Sequence, residues 1–200
     1  KGLRSMANSK TTFYPEPRIS KFVFASKYMA PFWTVVRVYL GWLWLQAGWH
    51  KVTDPKWVGA DAGTAISGFL RRAVGLSQGE SPSVTGWYAW MIENLFLPMA
   101  TFMSYVIAFG ELLVGIALIV GFLTGAAAFF GGLMNVAFLL AGTLSTNPIM
   151  FFLATWLVLA WRIAGYYGLD YWVLPYLGAP RGDFDDDSEG RRTVPKAVKV

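Results

Sequence analysis

The chain has 200 residues, of which 55% are apolar and only 14% charged, with a mean hydropathy of +0.43 and a formal net charge of +5. A soluble domain of this size cannot hide that much apolar surface, and globular chains carry about 25% charged residues. This excludes disorder, a basic nucleic-acid module and a conventional soluble enzyme, and leaves an all-α integral membrane protein.

In chain order, residues 1–30 form a basic tail with Arg4, Lys10, Arg18, Lys21 and Lys27, and they lack the apolar h-region of a signal peptide. Stretches 31–52, 99–121, 124–144 and 149–168 are each apolar over the roughly 20 residues that a membrane crossing takes. No strand-like alternation competes, and a helix satisfies its own backbone groups in lipid. The expected fold is a four-transmembrane-helix bundle over residues 31–175. The long connection 53–98 carries a helical stripe of Ile66, Phe69, Leu70 and Ala73 beside Arg71 and Arg72, then an aromatic-rich piece at 87–97. Both read as short helices at the membrane surface, with an irregular loop as the alternative. Gly121–Gly125 and Ser145–Pro148 read as tight, uncharged helical hairpins. Residues 176–200 form a second charged tail, whose acidic run 183–189 lacks calcium-loop spacing and reads as solvated.

Lys and Arg concentrate in the two tails, so both termini are expected on the cytoplasmic side and the long loop outside. The location is then the cytoplasmic (inner) membrane, multi-pass. The positive charge reads as topology and not as a nucleic-acid surface. With no cysteine, disulfides, thiolate chemistry and cysteine-ligated clusters are excluded. With His50 as the single histidine, neither an intrinsic haem nor a metal site is expected. Leu45-Gln-Ala-Gly48 before Thr53-Asp-Pro55 is echoed by Leu139-Leu-Ala-Gly142 before Thr146-Asn-Pro148, either as an old helix-pair duplication or by chance.

Arg37, Glu111 and Arg162 fall inside the expected spans, together with Asn135. A central charge costs about 2.5–3.5 kcal/mol on insertion scales, so such residues face the bundle interior and find partners. From the rise of 1.5 Å per residue, Arg37 and Arg162 lie about 9 Å from the cytoplasmic boundary and Glu111 and Asn135 about 15 Å. One polar residue per helix is thus expected to converge in the inner half of the bundle. Such a cluster is either a pocket for a quinone headgroup or proton path, or a buried ion-pair cluster that fixes register. Two arginines against one carboxylate leave excess charge and call for an anionic partner, unless Arg37 snorkels to the headgroups.

At the external end of the first span, Lys51 reads as a headgroup anchor beside an ordinary interfacial His50. Trp33, Trp49, Trp57, Trp87, Trp90 and Trp172 fit an aromatic belt, while Trp42, Trp44, Trp156 and Trp161 lie deeper. Gly125, Ala128, Gly131, Gly132 and Ala141 make a small-residue face that suits close helix packing, or else an isoprenoid tail.

Arg37-Val-Tyr-Leu-Gly41 with Gln46-Ala-Gly-Trp-His-Lys51 resembles the first-helix signature of DoxX-type membrane proteins. Phe109-Gly-Glu111-Leu-Leu-Val-Gly115 with Gly121-Phe-Leu-Thr124 is similar to their second-helix signature. Asn147-Pro148 and Trp161-Arg-Ile-Ala-Gly-Tyr-Tyr-Gly168 resemble segments of longer members, so that the likeness covers about residues 32–175 and neither tail. The resemblance implies a four-helix membrane fold. It places Arg37, Lys51 and Glu111 on family motif positions. Related DoxD-type small subunits belong to thiosulfate:quinone oxidoreductase, and other members are linked to membrane redox and thiol-stress systems. The implied role is a quinone-linked subunit of a membrane oxidoreductase, in which thiosulfate chemistry would need a partner subunit. The alternative is a non-catalytic accessory subunit of a larger respiratory or photosynthetic complex. A transporter would be expected to show broken spans, and a channel a recurring polar ring.

Overall fold

The computed structural model describes residues 16–179, and within them every regular element is helical. The second half of the basic tail contributes a helix of its own, α1 (Arg18–Ala25). It is anchored by its C-terminal half: Val23 O accepts from Trp33 Nε1 at 2.7 Å, and the Phe24, Trp33 and Trp156 rings pack against one another in a triangle. A 3-10 turn at Lys27–Met29 leads into α2 (Ala30–Val52). Pro31 sits in the first turn of α2, where its missing N–H costs nothing. His50 and Lys51 sit in the last turn, where cations complement the helix dipole.

The other long helices are α5 (Ala100–Val120), α6 (Thr124–Leu140) and α7 (Asn147–Leu159). The two expected hairpins are present. Gly121 ends α5 with φ +70°, and Leu123 adopts the left-handed region at φ 46° before α6 begins. The 149–168 stretch is not one helix. α7 stops at Leu159, Ala160 turns the chain, and α8 (Trp161–Ala164) and α9 (Asp170–Tyr176) follow as short pieces. The turn carries Arg162 out to an exposed position, which avoids holding its charge among apolar neighbours.

Helices α2 and α5 run antiparallel with their backbones almost in contact. A Cβ at Gly115 would collide with the Leu45 backbone, and one at Gly48 with that of Leu112. One at Gly41 would come 2.9 Å from Leu118 Cβ. Small residues permit this approach. They also set the register: Gly48 is level with Leu112, and Gly41 with Leu118. Lining up the predicted span ends would place α2 about eight residues, or about 12 Å, away from this register. As a result, the first two turns of α2 extend past the Val120 end of α5, and Lys51 lies midway along it.

Segment 53–98 is a folded layer. α3 (Thr64–Gly75) and α4 (Gly86–Met91) form where helical pieces are expected. α4 continues into a π turn, Ile92–Phe96, closed by Leu97 N–H donating to Ile92 O at 2.8 Å. Ile66, Leu70, Ala73, Val84, Tyr88 and Ile92 make a core separate from that of the main bundle. The layer is tied to the Ala100 end of α5 and the Leu140 end of α6. Ser104 Oγ donates to Trp57 O at 2.6 Å, and Tyr88 OH to Ala137 O at 2.9 Å.

Among the described residues, α5 is the one helix long and apolar enough by length and composition to cross a membrane; α6 and α7 are apolar but shorter. The outward faces carry large apolar side chains: Leu113 is 63% exposed, Phe130 57% and Phe152 58%. A water-soluble monomer rarely shows a continuous apolar surface of this extent, whereas lipid accommodates it.

Candidate functional site

The polar residues singled out in the sequence sort into separate sites, and the offset between α2 and α5 decides the sorting. Lys51 Nζ donates to Glu111 Oε2 at 2.6 Å, between the last turn of α2 and the middle of α5. The carboxylate side chain is 1% exposed and the lysine 21%. The ammonium also lies 5.1 Å from the Trp57 ring, a cation–π distance. Lys51, expected as a headgroup anchor, is therefore the direct partner of the buried carboxylate. The site has an enclosed acceptor and a partly open cation. Such a pair can donate from nitrogen to an incoming oxygen and can hold or release a proton. His50, next in the chain, points to an exposed position.

Arg37 is buried at the opposite end of the α2–α5 contact. Its Nη1 donates to Leu118 O at 2.6 Å and Ile119 O at 3.1 Å, and its Nη2 to Tyr167 O at 3.2 Å. These carbonyls include two left without intrahelical partners at the end of α5, which is where a cation is favoured. The acidic group whose charge bears on Arg37 is Asp170.

Asp170 is 1% exposed, and its two carboxylate oxygens accept from Leu123 N at 2.5 Å and Thr124 N at 2.8 Å. It thereby caps α6 from a distant part of the chain and holds Leu123 in its left-handed conformation. A Cβ at Gly165 would collide with this carboxylate. Sequence reasoning missed Asp170. The available signal was that it is the one acidic residue between Glu111 and Asp183.

Asn135 is buried on α6, and its Nδ2 donates to Asn147 Oδ1 at 3.0 Å; Asn147 Nδ2 in turn donates to Thr143 O at 3.1 Å. This chain of amides ties the end of α6 to the start of α7. Asn135 Oδ1 and the indole nitrogen of Trp44 are buried without a partner among the described residues. Gly131, one turn before Asn135, makes room for the Trp44 ring: a Cβ there would come 2.9 Å from Trp44 Nε1. Arg162 lies on the surface with its guanidinium 5.4 Å from the Trp161 ring. The structure thus brings Lys51 and Glu111 together and keeps Arg37, Asn135 and Arg162 in three other places. Of the tryptophans expected to lie deep, Trp44 is buried, while Trp42 is 52% exposed. Trp33, expected in the belt, is buried.

No group of three or more metal-ligating side chains occurs among the described residues. No curated protein and no solved structure matches the chain. The family model of DoxX matches residues 32–164, two thirds of the chain. That stretch runs from the first turn of α2 to the end of α8 and contains the Lys51–Glu111 pair, Arg37 and the Asn135–Asn147 bond. The match, the apolar outer faces and the charges paired inside the bundle lead to one conclusion: the chain belongs to the DoxX family and is a membrane protein.

Proposed function

We propose that this chain is a four-helix subunit of an inner-membrane oxidoreductase that meets a quinone headgroup at the Lys51–Glu111 pair. Both tails lie on the cytoplasmic side in this reading, and α2, α5, α6 and α7 with α8 make the crossings. The observation that carries it is a fully enclosed carboxylate midway along α5, about 15 Å from either end, whose partner is a partly open lysine. Charges at that depth are costly and are associated with ligand or proton pathways. The Lys51 ammonium retains donor capacity beyond its bond to Glu111 and can donate to a quinone carbonyl. Reduction to the quinol takes up two electrons and two protons. The pair passes one proton, the second comes from solvent on the open side of Lys51, and both electrons come from a redox-active partner subunit.

In reconstituted membranes holding the native complex, Glu111→Gln is expected to lower quinone turnover by at least about tenfold, within the range that proton-handling groups contribute. Turnover equal to that of the parent overturns the proposal. The second reading is a non-catalytic accessory subunit. It is favoured by the closure of the pair on itself, the lysine bonded to Glu111 at 2.6 Å, while the shallow, open surface grooves are lined by other residues. Gentle extraction followed by mass spectrometry of co-migrating proteins and quinones separates the two. A stoichiometric quinone supports the first reading, and a large assembly without quinone at this chain supports the second.

A further inference from the structure

A groove of about 240 Å³ opens where α1 crosses the break between α7 and α8. Glu16 and Ser20 of the α1 segment line it with Phe24, and Leu159, Trp161 and Arg162 line it from the α7–α8 segment. Arg162 is exposed, and its guanidinium has no hydrogen bond or ion pair among the described residues; its neighbour is the Trp161 ring. Ile19 and Phe22 on α1 are 80% and 44% exposed beside Arg18, so α1 shows apolar and basic groups together, as an interfacial helix does. Exposed Tyr167, Trp172 and Tyr176 lie in the segments just beyond α8. Interfacial aromatics and basic side chains of this kind mark headgroup level.

We propose that this groove binds one phospholipid of the inner leaflet, with its phosphate on Arg162 and its headgroup ammonium on Glu16. The assignment rests on the four-helix membrane reading but not on the quinone. Arginine presents a planar fork of donors suited to a phosphodiester. The groove also holds a carboxylate, which repels a purely anionic headgroup and attracts a zwitterionic one. Ser20 adds a hydroxyl to the lining. Phe24 and Leu159 face the glycerol and the first acyl carbons, and Trp161 covers the headgroup at the rim. The charges match phosphatidylethanolamine better than phosphatidylglycerol.

The test uses the full chain, delipidated in detergent and titrated with dioleoylphosphatidylethanolamine or dioleoylphosphatidylglycerol, with bound lipid counted by native mass spectrometry. One phosphatidylethanolamine per chain is expected, held several-fold more tightly than phosphatidylglycerol. Arg162→Gln is expected to weaken it about tenfold, the loss of one charge-assisted contact. Glu16→Gln is expected to abolish the preference between the two lipids, and Arg71→Gln on α3 to change nothing. Equal retention by the parent and Arg162→Gln overturns the proposal, as does a parent that prefers phosphatidylglycerol. Displacement by soluble glycerophosphoethanolamine at equal concentration also overturns it, since the site would then be one for a free phosphate ester. Arg162 and Glu16 are exposed, and an unchanged thermal transition confirms that the variants fold. The readout is lipid count alone, so its failure leaves the Lys51–Glu111 proposal standing, and the reverse holds too.

Discussion

Removing the two members of the Lys51–Glu111 pair should have unequal costs. Lys51→Met leaves a carboxylate that is 1% exposed and without its side-chain partner among the described residues. Breaking a buried pair from one side costs about 3–5 kcal/mol, and the partial opening at Lys51 puts the expected loss near the lower value, about 3 kcal/mol. Glu111→Gln leaves instead an ammonium that is 21% exposed and 5.1 Å from the Trp57 ring. That cation can lift its head along its flexible stem and keep the aromatic contact, so the expected loss is about 1–2 kcal/mol. The double variant Lys51→Met/Glu111→Leu removes both charges and fills the space with apolar atoms, and it should lie within about 1 kcal/mol of the parent. The sum of the single losses then exceeds the double by about 3 kcal/mol, well beyond the scatter expected for independent sites. The assay is reversible unfolding in mixed micelles with increasing dodecyl sulfate, followed by tryptophan fluorescence. A double variant that loses the sum of the two single losses would refute the reasoning, because the charges would then not sense each other.

Three further outcomes follow from the packing. Gly115→Ala should destabilise by about 1–3 kcal/mol, because its Cβ meets the Leu45 backbone, whereas Gly68→Ala in α3 has open space and should stabilise by up to about 1 kcal/mol; the same unfolding assay compares them. Asp170→Asn keeps the size of the side chain but loses a charged cap on Leu123 and Thr124 and the counter-charge to Arg37, so a loss of about 2 kcal/mol is expected, with raised amide exchange at residues 123–126 by mass spectrometry. Burial raises the Tyr88 phenol above its ordinary pKa of 10.0. A folded value above the unfolded one means that its contribution is complete below about pH 10 and is lost as pH rises through the folded value. Tyr88→Phe should therefore cost about 1 kcal/mol at neutral pH and flatten the alkaline decline of stability, as read by unfolding at pH 8 and pH 11.

Much of the local structure can be read directly from the chain. α2 and α5 occupy the first two apolar stretches almost residue for residue, because Pro31 starts one and Gly121 stops the other. The helical stripe of Ile66, Leu70 and Ala73 marks the buried face of α3 correctly. α7 shows where such reading ends: the apolar stretch continues past Leu159, yet the helix does not, because the chain beyond it is placed by long-range contacts, Asp170 with the Leu123 and Thr124 amides among them.

Composition and hydropathy are enough to say that the chain is helical and too apolar for water, and that a few charged residues among its apolar stretches need partners. They cannot determine which partner each charge takes. That depends on how far α2 slides along α5, and hydropathy is blind to the slide because every register buries similar apolar area. The contact is settled by three glycines, Gly41, Gly48 and Gly115, whose missing Cβ atoms let the backbones meet in one alignment. The resulting shift of about 12 Å takes Arg37 away from Glu111, gives it to the carbonyls at the end of α5, and puts Lys51 on Glu111 instead. Asp170 supplies negative charge from beyond the last predicted span, where only the tertiary fold brings it within electrostatic reach of Arg37.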